Sequence, residues 1–230
     1  MPTALVTGAN SGIGHALSQL LIKEGYDVIA TDITISTPIK SLNCEYHQLD
    51  VTSPDSITSL KQKLGDRPIH LLLNVAGILP PVQQDKLPNV SLDLLQKTFA
   101  VNTFGPLLLT QALLPNIRSA ITKSTAPKIA VMSSRMGSIA DNGSGGIYAY
   151  RASKAGVNAV FKSLAVDLKD EGVVVVLLHP GIVKTMLMGE TGTEGVEPEV
   201  AAKDLWEVLR GKGIEDTGRW WHRNGEELPW

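Results

Sequence analysis

The sequence predicts an α/β fold: a single doubly wound domain with a mostly parallel sheet of about seven strands, helices covering both faces. Three observations lead there. Short β-rich runs alternate with stretches of helical period along all 230 residues. The plainest of these runs, "IHLLLNVAG" and "VVVVLL", are apolar on both faces, as strands buried on both sides must be. The first run ends in a glycine-interrupted turn that leads directly into a helical pattern. Alternation of this kind makes each helix a crossover between parallel strands.

Taken in order, "TALVTG" (3–8) is the first strand. "GHALSQLLIKEG" then repeats apolar residues at helical spacing and stops at Gly25, a residue suited to a C-terminal cap. "YDVIATD" (26–32) and "EYHQLDVT" (45–52) are the second and third strands. "SPDSITSLKQKLG" opens with Ser53 as cap, Pro54 at the first helical position and Asp55 in the first turn, and ends at Gly65. The fourth strand is "IHLLLNVAG" (69–77), and one long helix is expected over about 91–120. "PKIAVMSS" (127–134) is the fifth strand, 150–172 a long helix and 173–181 the sixth strand. "EPEVAAKDLWEVLR" (197–210) is a last amphipathic helix, and "GRWW" near the end holds one more strand. No repeat, low-complexity tract or Pro/Ser linker divides the chain. Residues 1–230 are therefore expected as one nucleotide-binding domain, with a small substrate loop over about 182–200.

Composition narrows the function classes. The chain is 43% hydrophobic and 19% charged, enough for a sizeable core without resembling a membrane protein. Lys plus Arg number 21 against 23 Asp plus Glu, which argues against general attraction to nucleic acid or anionic lipid. A single cysteine, Cys44, excludes an intramolecular disulfide and a cysteine-based metal cage, and no metal is expected. No run approaches the roughly 18 apolar residues that span a bilayer. "MPTALVTGAN" lacks the basic and apolar regions of a secretion signal, so a cytoplasmic location is expected.

The turn "TGANSGIG" (7–14) places Gly8, Gly12 and Gly14 where backbone must approach a pyrophosphate and where helix must pack on strand. The N–H groups and positive end of the helix that follows favour phosphate. Asp32 ends the second strand, about 20 residues after the turn. A carboxylate there accepts from both ribose hydroxyls of NAD and repels the 2′-phosphate of NADP. Ile33 follows it and Ser11 precedes Gly12, so no Arg or Lys stands nearby to pair with that phosphate. NAD is favoured, with NADP as the alternative, and the competing role for Asp32 is to cap a turn. Further on, "YRASK" sets Tyr150 and Lys154 four residues apart, on one helix face. That spacing alone fits an exposed pair as well as a proton-transfer device. Tyr148, the nearest competitor, has Ala152 at the matching position.

Several motifs then occur in a fixed order: "TGANSGIG", "LDV" (49–51), "NVAG" (74–77), Asn102 in the long helix, Ser133 and Ser134, "YRASK" and "PG" (180–181). With them the chain resembles, over nearly its whole length, the short-chain dehydrogenase/reductase family of NAD(P)-dependent oxidoreductases. The piece "SSRMGSIADNGSGGIYAYRASK" is most similar to the C-factor/Sniffer-like carbonyl reductase branch. The resemblance implies a Rossmann-type domain interconverting a secondary alcohol with a ketone or aldehyde, with Tyr150 as general acid/base. Lys154 would hold the nicotinamide ribose and lower the tyrosine pKa, Ser134 would hold the substrate oxygen, and Asn102 would serve the proton relay through a carbonyl freed by a kink at Pro106. Gly8, Asn10, Ser11, Gly12, Ile13 and Gly14 would cradle the cofactor, with Asp32 on the ribose and Asp50 and Val51 at the adenine. Asn74, Ala76 and Gly77 would flank the adenosine ribose; Val75 stands where many members carry a second Asn. Pro180, Gly181, Ile182 and Thr185 would lie at the nicotinamide. The same resemblance implies a small-molecule partner and a homodimer or homotetramer.

Alternatives stay open at several points. Ser138 lies 12 residues before Tyr150, nearer the usual separation than Ser134 at 16. His179 is expected to be a satisfied packing or turn residue. "TMLMG" (185–189) would wall an apolar substrate pocket or pack in the core, and the aromatic tail "RWWHRNGEELPW" would close the cleft or meet a second subunit. The rival functions are an NADPH-preferring carbonyl reductase and a nucleotide-binding signalling protein with little turnover.

Overall fold

The computed structural model describes residues 1–122, 126–185, 187 and 195–230. Its strands are β1 (Thr3–Thr7), β2 (Asp27–Asp32), β3 (Glu45–Gln48), β4 (Leu71–Asn74), β5 (Lys128–Met132), β6 (Val174–His179) and β7 (Arg219–His222). All pair in parallel, in the order β3-β2-β1-β4-β5-β6-β7. The helices are α1 (Gly12–Lys23), α2 (Thr37–Lys40), α3 (Pro54–Leu64), α4 (Leu92–Phe99), α5 (Gly105–Arg118), α6 (Tyr148–Leu168) and α7 (Pro198–Arg210). Strand order reverses between β1 and β4, so their C-terminal ends open a crevice of the kind that receives ligands in such sheets.

Because successive strand residues face opposite sides, each strand feeds two cores. Leu5, Ile29, Leu72, Ile129 and Val175 pack with Leu60 of α3, Leu109 of α5 and Phe161 of α6. Their neighbours Val6, Val28, Leu73, Ala130 and Val176 pack on the other face with Leu17 and Leu21 of α1 and Leu205 of α7. This is why the strand runs read as continuously apolar. At α3 the local signals act as expected: Ser53 Oγ accepts from Ser56 N and Pro54 opens the first turn.

Three differences from the sequence expectation have physical causes. β3 stops at Gln48, because Asp50 turns the chain by accepting from Thr52 N at 2.8 Å and from its hydroxyl at 2.7 Å. The expected long helix is interrupted by a π turn, Ala100–Phe104, in which Gly105 N reaches back five residues to Ala100 O. Pro106 has no N–H to offer Asn102's carbonyl four residues before it, and a Cβ on Gly105 would lie 2.8 Å from Val51 Cγ2. α6 begins at Tyr148, preceded by Ile147 in the left-handed region (φ +51°), a costly conformation for a β-branched residue.

The tail after β7 folds back along it: Leu228 N bonds Trp220 O and His222 N bonds Glu226 O, with an antiparallel bridge between Trp221 and Glu227. Trp230 stacks on the buried Trp220, ring centroids 5.8 Å apart. Among the described residues no helix is long and apolar enough to cross a membrane.

Candidate active site

The crevice starts at the glycine turn. Gly14 has no alternative there: a Cβ would sit 2.2 Å from Gly8 O, inside any real contact distance. Asn10 N donates to Asp32 Oδ2 at 3.1 Å, and the Asn10 carboxamide oxygen accepts from Ser36 N and its hydroxyl, fixing the turn against the chain after β2. Ser11 precedes α1 without capping it by its side chain, so the first-turn N–H groups of Gly12, Ile13 and Gly14 have no side-chain acceptor there. Asp32 Oδ1 accepts from Thr34 N at 3.0 Å. The carboxylate therefore does cap a turn, yet each oxygen keeps room for another donor.

A dinucleotide fits this set. The uncapped helix N-terminus suits a pyrophosphate, and Asp32 retains acceptor capacity for ribose hydroxyls. Val51 is buried against Gly105, and Asp50 keeps only the part of its carboxylate that Thr52 does not use. At the end of β4, Asn74 Nδ2 donates to Thr110 Oγ1, and its Oδ1 is buried without a partner among the described residues. Ala76 and Gly77 follow along the floor, Gly77 close to both Asn102 Oδ1 and Lys154 Nζ. On the far side, Gly181 turns against Arg223 and His222, Ile182 is exposed, and Thr185 Cγ2 lies against Gly12. Pro180 links this turn to β6. Of "TMLMG", Leu187 is exposed, while Met186, Met188 and Gly189 lie outside the described residues, as do residues 190–194 of the expected 182–200 loop.

The proton-handling groups converge beneath. Tyr150 is 8% exposed, and the neighbouring Ser134 hydroxyl acts to lower the pKa of its phenol. Ser138 instead accepts from Asp141 N at 3.0 Å, shaping the next turn. Lys154 is buried, donates to Met132 O at 2.9 Å and lies 5.7 Å from the Tyr150 ring centroid. Burial pushes Lys154 down to about 8, and burial pushes Tyr150 above its ordinary value against the smaller opposing effect of Ser134. This corrects the expectation of a lowered tyrosine: in the protein alone, desolvation penalises charge on either group more than their proximity rewards it. Asn102 uses its side chain structurally. It accepts from Ile78 N at 2.8 Å and donates to Ile78 O at 2.9 Å and to Ser153 Oγ at 3.0 Å. His179 is also a correction: its Nδ1 is buried without a partner among the described residues, and burial, then His222, push its pKa down to about 3. It is neutral at pH 7.

Several supporting residues are not among the site residues expected from the sequence. Thr7 Oγ1 accepts from Val75 N and Ala76 N at 2.9 and 3.0 Å, tying β1 to the "NVAG" turn. Thr103 donates to Ser153 O, and Ser153 donates to Tyr150 O. Gly137 packs so tightly that a Cβ would lie 2.7 Å from the Lys154 carbonyl carbon. Asp85, fully buried, accepts from Ala149 N at 2.7 Å and Tyr150 N at 3.1 Å. Thr7 and Gly137 had a local signal, their places in the "TGANSGIG" turn and in the tight "SSRMG" corner.

Comparison with known proteins agrees with this geometry. The short chain dehydrogenase family model matches residues 2–195. The chain is 34% identical over 235 residues to 1-hydroxy-2-glutathionyl-2-methyl-3-butene dehydrogenase of Rhodococcus sp. strain AD45, covering all of both chains. Among solved structures it is similar to the NADPH-bound carbonyl reductase from chicken fatty liver (30% identity, TM-score 0.88, covering 100% of this chain and 99% of that one). It is likewise similar to the carbonyl reductase Sniffer of D. melanogaster (28% identity, TM-score 0.90, full coverage of both). The carbonyl-reductase side of the resemblance is thus shared by its structural neighbours. With its parallel seven-stranded sheet, its glycine turn and its Tyr150–Lys154 helix, the chain belongs to the short-chain dehydrogenase/reductase family of NAD(P)-dependent oxidoreductases acting on CH–OH groups.

Proposed function

We propose that this protein interconverts a small secondary alcohol with the corresponding ketone or aldehyde, favouring NAD(H), with Tyr150 as the proton donor and acceptor. The observation that carries the reading is the convergence of Ser134, Tyr150 and Lys154 at the C-terminal end of the sheet. Bound nicotinamide supplies or takes up the hydride; the proton and the positioning belong to the chain. Ser134 holds the substrate oxygen beside the phenol. Tyr150, kept protonated at neutral pH by burial, is poised to donate, which suits carbonyl reduction. Lys154 carries its proton below about pH 8 and stands close enough to stabilise the tyrosinate left after donation. Asn102 holds Ile78, and through it the turn beside the cofactor. Asp32 supports the NAD(H) preference, because a 2′-phosphate would meet its carboxylate. The region from residue 1 to 230 acts as one domain in this reading.

The test is turnover on a panel of ketones and aldehydes with NADH and NADPH. Positioned acid/base groups contribute about 10²–10⁴-fold, and Tyr150→Phe should lose about that much kcat while still binding nucleotide. A variant that keeps most of its turnover removes the mechanism. The NADPH-preferring reading gains support from the NADPH-bound chicken reductase. Tighter NADPH than NADH binding would favour that reading and remove Asp32 as the residue that selects NAD(H).

A further inference from the structure

We infer that Asp85 is a positioning residue for Tyr150, a remote cap that fixes the first turn of α6 from the loop following the cofactor floor. The inference rests on the proton role proposed for Tyr150. Helix α6 lacks a cap of its own: Ile147, at the cap position, offers no side-chain acceptor and sits in the left-handed region. The first N–H groups of a helix need acceptors when they are buried. Asp85 supplies them from 64 and 65 residues away, one oxygen to Ala149 N at 2.7 Å and the other to Tyr150 N at 3.1 Å. Asp85 is fully buried, and no cationic side chain pairs with it among the described residues. The two backbone N–H groups and the positive end of the helix are what accommodate its charge.

The same loop is gripped at its other end. Ile78, just after Gly77, exchanges two hydrogen bonds with Asn102, whose Nδ2 also reaches Ser153 on α6. Thr103 holds Ser153 O, and Ser153 holds Tyr150 O. Tyr150 is thus fixed on both sides of its backbone: N–H by Asp85, carbonyl by Ser153. Both supports trace to the segment that runs on from Gly77. A phenol must be placed to within a fraction of an ångström to hand over a proton, and this arrangement refers its position to the cofactor floor.

The test uses Asp85→Asn, which keeps the size of the side chain but puts an amide NH₂ against one of the two backbone donors. Activity is normalised to sites counted by bound NADH, so that partial unfolding does not count as lost turnover. The expected result is a loss of kcat of about 10-fold or more, with carbonyl KM and NADH Kd within about threefold of the unaltered protein. Amide hydrogen exchange should quicken at Ala149 and Tyr150 and stay unchanged in β5 and β6. Asp85→Glu, which restores two acceptors, should recover part of the kcat. Unchanged kcat per site, or unchanged exchange at those two amides, overturns the inference. If the unaltered protein reduces nothing in the panel, it is the reading of Tyr150 that fails, and the exchange measurement alone then decides whether Asp85 holds the turn.

Discussion

Around Gly8–Gly14 the backbone is held by segments far away in sequence, whereas around residues 138–147 it is held mostly by itself. On the cofactor side, Thr7 bonds Val75 and Ala76, Asn10 bonds Asp32, and Gly14 lies directly on Gly8 O. In the loop after the fifth strand, Ser138 bonds Asp141, Asn142 bonds Gly145, and Ser144 accepts from Arg151. These are spans of three to seven residues. A distant tie reaches that loop at Ala140, whose N–H donates to Trp230 O at 3.0 Å. A cavity of about 260 Å³ opens along it, between Met136, Ile139, Tyr148 and Arg151. The lesson is a division of labour. The glycine turn is cross-linked to distant strands and intolerant of added atoms, and the loop after Ser138 is held mainly by bonds within itself.

That contrast is open to direct attack. The largest effect should come from Gly14→Ala. With backbone 2.2 Å from the new Cβ, the turn or α1 must shift. Overpacking of this kind costs about 1–3 kcal/mol or more, and nucleotide binding should fall with it, as chemical denaturation and NADH titration would show. A comparable loss on Ser144→Ala would break the comparison.

Lys154 lies on the line between the two sides, and its effect depends on pH. Its pKa is about 8 in the folded chain and near the ordinary 10.5 when unfolded. Between those values the unfolded chain binds the proton and the folded one does not, so stability rises with pH across that window. Below about pH 8 both states are protonated and the full penalty of burying the charge applies, of order 3 kcal/mol. Lys154→Met should remove this slope, read as unfolding free energy at pH 8 and pH 10. A slope unchanged in the variant would assign it to another group.

The smallest effect is expected at the exposed loop. Ser144→Ala deletes one acceptor for Arg151 at 2.8 Å and should change stability by no more than about 0.5 kcal/mol. If the loop shapes the substrate side, the ratio of kcat/KM between two carbonyls in the panel should move while NADH affinity does not.

The legible part of this protein was whatever is local. Strand runs, caps such as Ser53 and Pro54, the glycine turn and the Tyr150–Lys154 spacing each leave a mark within a few residues, and the sheet follows from them. Asp85 leaves none: its partners lie 64 and 65 positions away, and an acid in a Pro/Gln-rich loop reads as surface. The π turn was half legible, since Pro106 announced a distortion in the helix but not its form. The direction of the Tyr150 pKa was not legible, because spacing reports a neighbouring charge and says nothing about how deeply both groups are buried. Ser134 and Ser138 likewise differ only in three dimensions: Ser134 neighbours the phenol, whereas Ser138 accepts from Asp141 N.

The folded-back tail has a consequence for the margins of the sheet. An open sheet ends in two strands whose outer backbone groups can template another chain. Here β7 is screened by the protein's own residues 226–228, and β3 carries Glu45, hydrogen-bonded to His47 at 2.7 Å and ion-paired with Arg67 at 2.6 Å. Strand-to-strand growth is discouraged at both margins, by a built-in blocking strand at one and by charge at the other. The helical surfaces of the molecule present no such row of unpaired backbone donors and acceptors.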